Sequence, residues 1–415
     1  MIKRRYHLVF SALRPAFRLF TRLAYHYHPV PAPPLRPDQP AMILANHNAA
    51  FDPFFISVSF KRPIFFVASD HIFRLGWISS AIRALVAPIP IVKSQMDLRT
   101  LRSIRETIHA GGLVGLFPEG NRSFNGLTAH IMPSVGKLVK QLNCTLILYR
   151  IRGAYLSTPR WALKKRRGMI RGEVARQLEP DDLAGLSPDE IYRIIVTTLQ
   201  VDAFADQLFK PIRFTGRRLA ENLELALFVC PKCHHLATLR SLGDRFGCDC
   251  GLAVRYTSLG FFDPIDAWSI QERQESRFLQ SVAAWDQWQR QLLASLSDDP
   301  SIIDLNGIRP LFSDDSQRLL DCERARKSVA IAAGRLAMFS DRIEFLADDG
   351  RLHRFPLDEI TRMIVHGPQT LQFATRTGSI LEVRSKIRRS ALKYMMLYHL
   401  LEQKRKQEPH GFYGL

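Results

Sequence analysis

The sequence predicts an α/β domain with a mixed sheet flanked by helices, then a small four-cysteine module, then a β-rich C-terminal domain closed by a helix. Three observations predict it. Short apolar runs at residues 42–45, 113–117 and 145–149 are separated by longer stretches with helical spacing. Cys230, Cys233, Cys248 and Cys250 crowd into a short interval. From about Ser328 the pattern becomes short alternating strands, broken by Asp-Asp-Gly, Gly-Pro and Thr-Gly turns. A chain of 415 residues has room for two or three such domains. We place the boundaries at 1–35, 36–210, 211–258 and 259–415.

Segment 1–35 is basic and amphipathic. Residues 3–27 carry Lys3, Arg4, Arg5, Arg14, Arg18 and Arg22 and no acidic residue. Tyr6, Val9, Phe10, Leu13, Phe17, Phe20, Ala24 and Tyr27 recur at steps of three and four. Arg14, Arg18 and Arg22 run along a different face, a design suited to a lipid interface; the alternative is that the apolar stripe packs on the body of the protein. Pro15 is expected to kink this helix or split it in two. The Pro-rich run from Val30 to residue 40 follows as a stiff connector. No stretch approaches the roughly 20 apolar residues that span a bilayer, and the arginines interrupt anything resembling a signal peptide. A peripheral position on the cytoplasmic face of a membrane is therefore expected.

The bulk composition agrees with a globular chain that seeks anions. Hydrophobic residues make up 46% and charged residues 23%, which excludes a disordered chain. The formal net charge of +19 suits nucleic acid, an anionic bilayer or phosphorylated substrates.

In the α/β domain, the strand at 42–45 runs into Asn46-His47-Asn48-Ala49-Ala50-Phe51-Asp52-Pro53. Asp52 is expected at or near a helix N-cap with Pro53 at N1, the helix continuing from Phe54 to Phe60. A histidine at a strand end and an aspartate opening the next helix can face one another. The carboxylate would hold one ring nitrogen, and the other would take a proton from an alcohol. The spacing alone is a weak signal, since His353 and Asp358 share it. A second block, Phe117-Pro118-Glu119-Gly120-Asn121-Arg122-Ser123, ends the strand at 113–117 in a polar loop. Arg122 offers a planar fork of donors to a phosphate. Ser123 and backbone amides near Gly120 offer neutral donors, and Glu119 can position the loop or a glycerol. The alternative is an ordinary exposed turn.

Together the two blocks resemble the NHxxxxD and FPEGTRS blocks of the glycerolipid acyltransferase family, which includes lysophosphatidic acid acyltransferases. Asn121 stands where that family has Thr. The resemblance spans about residues 40–205, including Gly76-Trp77 and the Ile-Pro run at 88–92. It implies an O-acyltransferase of phospholipid biosynthesis. His47 is the catalytic base and Asp52 its partner. Lys93, Glu119, Gly120, Arg122 and Ser123 form the substrate-binding set, Lys93 standing in the place of a family arginine. The acyl donor is acyl-CoA or acyl-carrier protein, and the acceptor is lysophosphatidic acid or a related lysolipid. The strand at 145–149 lacks the proline of the family's fourth block, which leaves another lipid acceptor open.

From Arg150 to Arg176 the chain is dense in arginine and lysine, with Glu173 the one acid. It reads as a basic loop for lipid headgroups or an acidic carrier, or as a merely solvated loop. Residues 187–208 read as one helix capped by Ser187. Cys230, Cys233, Cys248 and Cys250 suit tetrahedral zinc in a zinc-ribbon-like form, the second pair tighter than usual. His234 or His235 could replace one thiolate. Four thiolates close the coordination shell, so the expected zinc is structural.

Residues 260–300 read as helical and Trp-rich. The strands at 335–339, 342–346, 352–355, 371–374 and 380–383, closed by a helix near 387–406, resemble a pleckstrin-homology or GRAM-type barrel. A basic zinc-ribbon nucleic-acid-binding protein is the rival reading. It leaves both sequence blocks unexplained, and the basic residues are not interleaved with stacking aromatics.

Overall fold

Apolar strands too short to stand alone are assembled here by helices on both faces of a sheet. The computed structural model describes residues 4–69, 88–91, 98–298, 309–322 and 328–406. Gly76-Trp77 and Lys93 lie outside the described residues. The chain divides into two units, one built on Met1–Arg160 and Lys165–Gly216, the other on Trp161–Lys164 and Arg217–Phe412.

The first unit runs α1 (Arg4–Tyr25), β1 (Tyr27–Pro29), β2 (Ala41–Ala45), α2 (Asp52–Ser57), β3 (Ile64–Ser69), β4 (Ile89–Ile91), α3 (Leu98–His109) and β5 (Leu113–Leu116). It continues α4 (Ser134–Leu142), β6 (Thr145–Arg152), α5 (Ala154–Ser157), β7 (Ile170–Leu178), α6 (Pro180–Ala184), α7 (Pro188–Leu199) and α8 (Ala203–Phe209). The described strands form a seven-stranded sheet in the order β1-β7-β6-β2-β5-β3-β4. It is mixed, because β7 runs antiparallel to β6 while β2 is parallel to both its neighbours. Alternation along β2 feeds two cores. Met42 and Leu44 join Ile104, Val139, Ile191 and Ile195 on one face. Ala41, Ile43 and Ala45 join Phe55, Ile56 and Tyr149 on the other. The register sets Leu44 beside Leu116, so the carboxyl ends of β2 and β5 are neighbours. Loops leaving such adjacent carboxyl ends are where open α/β sheets bind ligands.

Several expectations are corrected. α1 passes through Pro15 without a break. Its apolar stripe is partly spent on the unit itself, with Tyr6 edge-on to Phe65 and Phe17 stacked on Phe54. Leu8, Leu19 and Leu23, spaced to share another face, are exposed instead. α2 is shorter than expected, with Phe51 at the N-cap and Asp52 as the first helical residue. The expected helix over 187–208 is two. α7 keeps the Ser187 cap and its box with Glu190. Asp202 then caps α8 through the Phe204 and Ala205 amides. The chain breaks between them because Val201 bonds to Thr128. The basic stretch 150–176 is not one loop. Arg150 and Arg152 end β6, Arg171 and Arg176 lie in β7, and Arg150 and Arg171 pair with Glu173.

The second unit opens with β8 (Leu239–Leu242), β9 (Arg245–Cys248), β10 (Ala253–Tyr256) and β11 (Phe262–Pro264), an antiparallel sheet. α9 (Ala267–Gln274) and α10 (Val282–Asp298) follow. Trp285 of α10 donates its indole N–H to the Val229 carbonyl and meets the Phe246 and Phe262 rings. The C-terminal region is β12 (Phe312–Asp321), β13 (Val329–Met338), β14 (Arg342–Ala347), β15 (Leu352–Pro356), β16 (Ile360–His366), β17 (Thr370–Thr375), β18 (Ile380–Ser385) and α11 (Leu392–Lys406). Its described strands make one antiparallel sheet, β15-β14-β13-β12-β18-β17-β16. β12 and β16 went unread in the sequence. Both carry register shifts that break alternation, and β12 opens with a polar run.

Candidate active site

His47 leaves the end of β2 and meets Asp52, with Nδ1 2.9 Å from Asp52 Oδ2. The same Oδ2 accepts the Asn48 and Ala49 amides at 2.7 and 2.8 Å. Asp52 is fully buried, so its carboxylate turns back to hold the His47 loop instead of capping α2. With Asp52 accepting from Nδ1–H, the basic nitrogen of the ring is Nε2. The ring stacks on Phe117 at a centroid distance of 4.1 Å. Phe117 in turn stacks on Phe66, and a methyl at Gly115 would sit 2.5 Å from the Phe66 ring. Gly115 therefore leaves room for the aromatic column behind the His47 ring. Asn46, given no role in the sequence reading, exchanges two bonds with the Ile151 backbone of β6 and fixes the end of β2.

Glu119 joins the two loops. Its Oε1 accepts the His47 amide at 2.6 Å and its Oε2 the Ala129 amide at 2.7 Å. The His47 carbonyl also accepts the Ser123 amide at 3.1 Å. Glu119 is only 2% exposed and both its oxygens are engaged, so it builds the loop rather than faces a ligand. Ser123 is also buried, its hydroxyl bonded to Asn125 and Gly126. Burial pushes Glu119 from 4.5 up to about 8, against the two amide donors and aided by the Asp52 charge. The unfolded chain ionises this group near 4.5. Its contribution to stability is therefore full below that pH and is lost as pH rises through about 8. Glu119→Gln should remove this pH dependence and cost about 1–3 kcal/mol, because the amide NH₂ would face a backbone N–H. Urea unfolding of both proteins between about pH 5 and 8 checks it; parallel pH profiles would assign the ionisation elsewhere.

Gly120 turns the loop at φ +69, a conformation that disfavours a side chain, and open space lies where its Cβ would be. Arg122 is half-buried, and no group among the described residues hydrogen-bonds its guanidinium. Burial lowers its pKa, and the Asp52 carboxylate opposes that. Arg160, read in the sequence as part of a basic loop, is buried beside it. Its guanidinium lies over the Phe124 ring at 4.0 Å and donates to the Arg122 carbonyl at 3.2 Å. Desolvation and the Arg122 charge both push its pKa well down. Two arginine charges in proximity disfavour each other unless an anion is present. The structure thus brings His47, Asp52, Glu119, Gly120, Arg122 and Ser123 together and adds Arg160. Lys93 lies outside the described residues.

Residues 26–151 match the Acyltransferase family model. The matched stretch contains His47, Asp52 and the whole loop from Phe117 to Ser123. The chain matches no curated protein. Among solved structures it is similar to the 1-acyl-sn-glycerophosphate (LPA) acyltransferase PlsC from Thermotoga maritima. The identity is 18%, over 52% of this chain and 86% of that one, with a TM-score of 0.41. It is also similar to the C-terminal domain of an unknown protein from Leishmania infantum. There the identity is 16%, over 24% and 89% of the two chains, with a TM-score of 0.18.

In the second unit the four cysteine sulfurs lie within 4.8 Å of one another. Cys230 and Cys250 are 3.6 Å apart, and Cys233 and Cys248 3.8 Å. A tetrahedral zinc with bonds of about 2.3 Å spaces its sulfurs at about 3.8 Å. Disulfides need about 2.05 Å. The set can therefore hold a metal ion. Gly251 at φ +92 returns its amide to the Cys248 carbonyl, which permits the tight second pair. His234 and His235 are exposed and outside the cluster.

Proposed function

We propose that this chain is a peripheral-membrane O-acyltransferase of phospholipid biosynthesis. It moves an acyl group from acyl-CoA or acyl-carrier protein to the hydroxyl of lysophosphatidic acid or a related lysolipid. The observation that carries this is the buried Asp52 carboxylate on His47 Nδ1, next to Arg122 and inside the matched region. His47 Nε2 takes the proton of the acceptor hydroxyl as its oxygen attacks the thioester carbonyl. Asp52 stabilises the imidazolium. The tetrahedral intermediate expels the thiolate, which recovers the proton from His47, leaving ester and free thiol. Arg122, with Arg160 behind it, binds the acceptor phosphate, and Lys93 joins that set.

A zinc ion on Cys230, Cys233, Cys248 and Cys250 holds a zinc-ribbon-like module, and the C-terminal strands with α11 form a pleckstrin-homology-like domain. The outer face of α1, with Leu8, Leu19 and Leu23 near Arg5 and Arg22, rests on an anionic membrane at its cytoplasmic side. No helix among the described residues is long and apolar enough to cross a membrane.

The test presents lysolipids in anionic or neutral vesicles with acyl-CoA or acyl-carrier protein and analyses products by mass spectrometry. A diacyl phospholipid should form, faster on anionic vesicles, and the Leu19→Ser/Leu23→Ser chain should bind anionic vesicles more weakly. Absence of any acylated lipid would defeat the reading.

A further inference from the structure

A second set of cations lies in the other unit, remote in sequence from the acyl-transfer blocks. Just before α11 begins, Arg388, Arg389 and Ser390 line a cavity of about 550 Å³, together with Leu239 and Arg240 of β8 and Asp314 of β12. Arg389 is only 4% exposed. All three of its guanidinium nitrogens are buried without a hydrogen-bond partner among the described residues. Asp314 Oδ2 is 4.0 Å away, beyond hydrogen-bond reach. That carboxylate is already engaged: Lys393 Nζ donates to Oδ1 at 2.9 Å and the Tyr394 hydroxyl to Oδ2 at 2.6 Å. The Tyr394 ring lies 5.3 Å from the guanidinium, and an aromatic face supplies no hydrogen-bond acceptor of carboxylate strength. A buried guanidinium with unmet donors is costly unless something else meets them.

The lining carries five cations, Arg240, Lys386, Arg388, Arg389 and Lys393, against the carboxylates of Glu224 and Asp314. Arg388 is paired with Glu221 and Glu224, and Lys393 with Asp314. Arg240 and Lys386 have no carboxylate partner among the described residues, and Arg389 has only the distant, already engaged Asp314, at 4.0 Å. Burial disfavours the charge on Lys393, and Arg240 adds repulsion to it. The start of α11 adds the positive end of a fifteen-residue helix. A carboxylate ligand would neutralise one charge and engage one fork. A phosphomonoester brings two charges and three acceptor oxygens, which matches a planar arginine fork flanked by further cations.

We propose that this cavity binds a phosphomonoester, with Arg389 as its forked donor and Lys386 and Arg240 flanking it. The ligand is a phospholipid headgroup ending in a phosphomonoester, or a soluble phosphate ester of the same chemistry.

The experiment uses the full chain carrying Arg122→Ala, so that the candidate active site contributes no anion binding. Inorganic phosphate and glycerol phosphate are titrated by calorimetry, and phosphatidylcholine vesicles with and without phosphatidic acid are tested by co-sedimentation. Binding should persist in this background. It should fall at least about tenfold on adding Arg389→Met and about threefold on adding the exposed Lys386→Ala. Binding in the calorimeter identifies a soluble source, and Arg389-dependent sedimentation without it identifies the headgroup. In the otherwise native chain, Arg389→Met should leave acyl transfer unchanged and melt no lower than the parent without phosphate, since it removes a buried charge whose donors meet no hydrogen-bond acceptor among the described residues and whose one ion pair, to Asp314, is long. A lower melting temperature with unchanged phosphate and vesicle binding would make Arg389 structural and overturn the proposal. If Arg389→Met does not fold, Arg240→Ala/Lys386→Ala decides: unchanged binding overturns the site.

Discussion

His47→Ala should lower acyl transfer by about 10²–10⁴-fold, the usual worth of a positioned general base. An alcohol is a poor nucleophile at neutral pH, and the attack needs its proton removed as the new bond forms. Asp52 accepts from His47 Nδ1 and from two backbone amides, so the ring is held in one tautomer and orientation before substrate arrives. The substitution removes the base but leaves the loop anchored, because Glu119 binds the His47 amide and not its side chain. Thermal stability, vesicle binding and metal content should therefore match the parent chain. Product formation followed by mass spectrometry, with thiol release as a second readout, measures the loss. Turnover within a few-fold of the parent would remove His47 from the reaction.

Withdrawing the metal should have the next largest effect. Purified chain should contain one zinc, and Cys248→Ser should retain almost none. In small modules structural zinc contributes about 10–16 kcal/mol of apparent folding free energy. Here Phe246, Tyr256, Phe262 and Trp285 form a buried aromatic core in the same small sheet region as the cysteines. A strong chelator should therefore loosen residues 229–252 without unfolding β12 to β18. Hydrogen exchange should show protection lost in that segment and retained in the C-terminal strands. A metal-free preparation with full protection there would refute zinc as the clamp.

Local contacts were legible in the sequence. His47 and Asp52 are five positions apart, and their contact follows from a strand end and a helix start. The cysteine pairs announced themselves by spacing. Arg122 could be read because its loop follows an evident strand. What escaped depends on partners distant in sequence. Glu119 meets His47 and Ala129, and Asn46 meets Ile151, through a sheet order that no local pattern displays. Arg160 looked like one more surface charge among many, and only burial beside Arg122 distinguishes it. The polar opening of β12 reads as loop until Asp314 is found beneath Lys393 and Tyr394. In α1 the period was right, but which face turns outward is decided by Phe54 and Phe65, which no helical periodicity contains.

The Glu119 carboxylate also bears on how this architecture can be re-engineered. Its bond to the His47 amide, together with the Ser123 amide on the His47 carbonyl, ties the histidine loop to the arginine loop, so the two cannot be exchanged separately. A chimera taking 117–123 from a relative, but keeping its own 129 region, would be expected to shift His47 as well as Arg122. Selectivity should therefore be transplanted as a block running from Asn46 to Ala129.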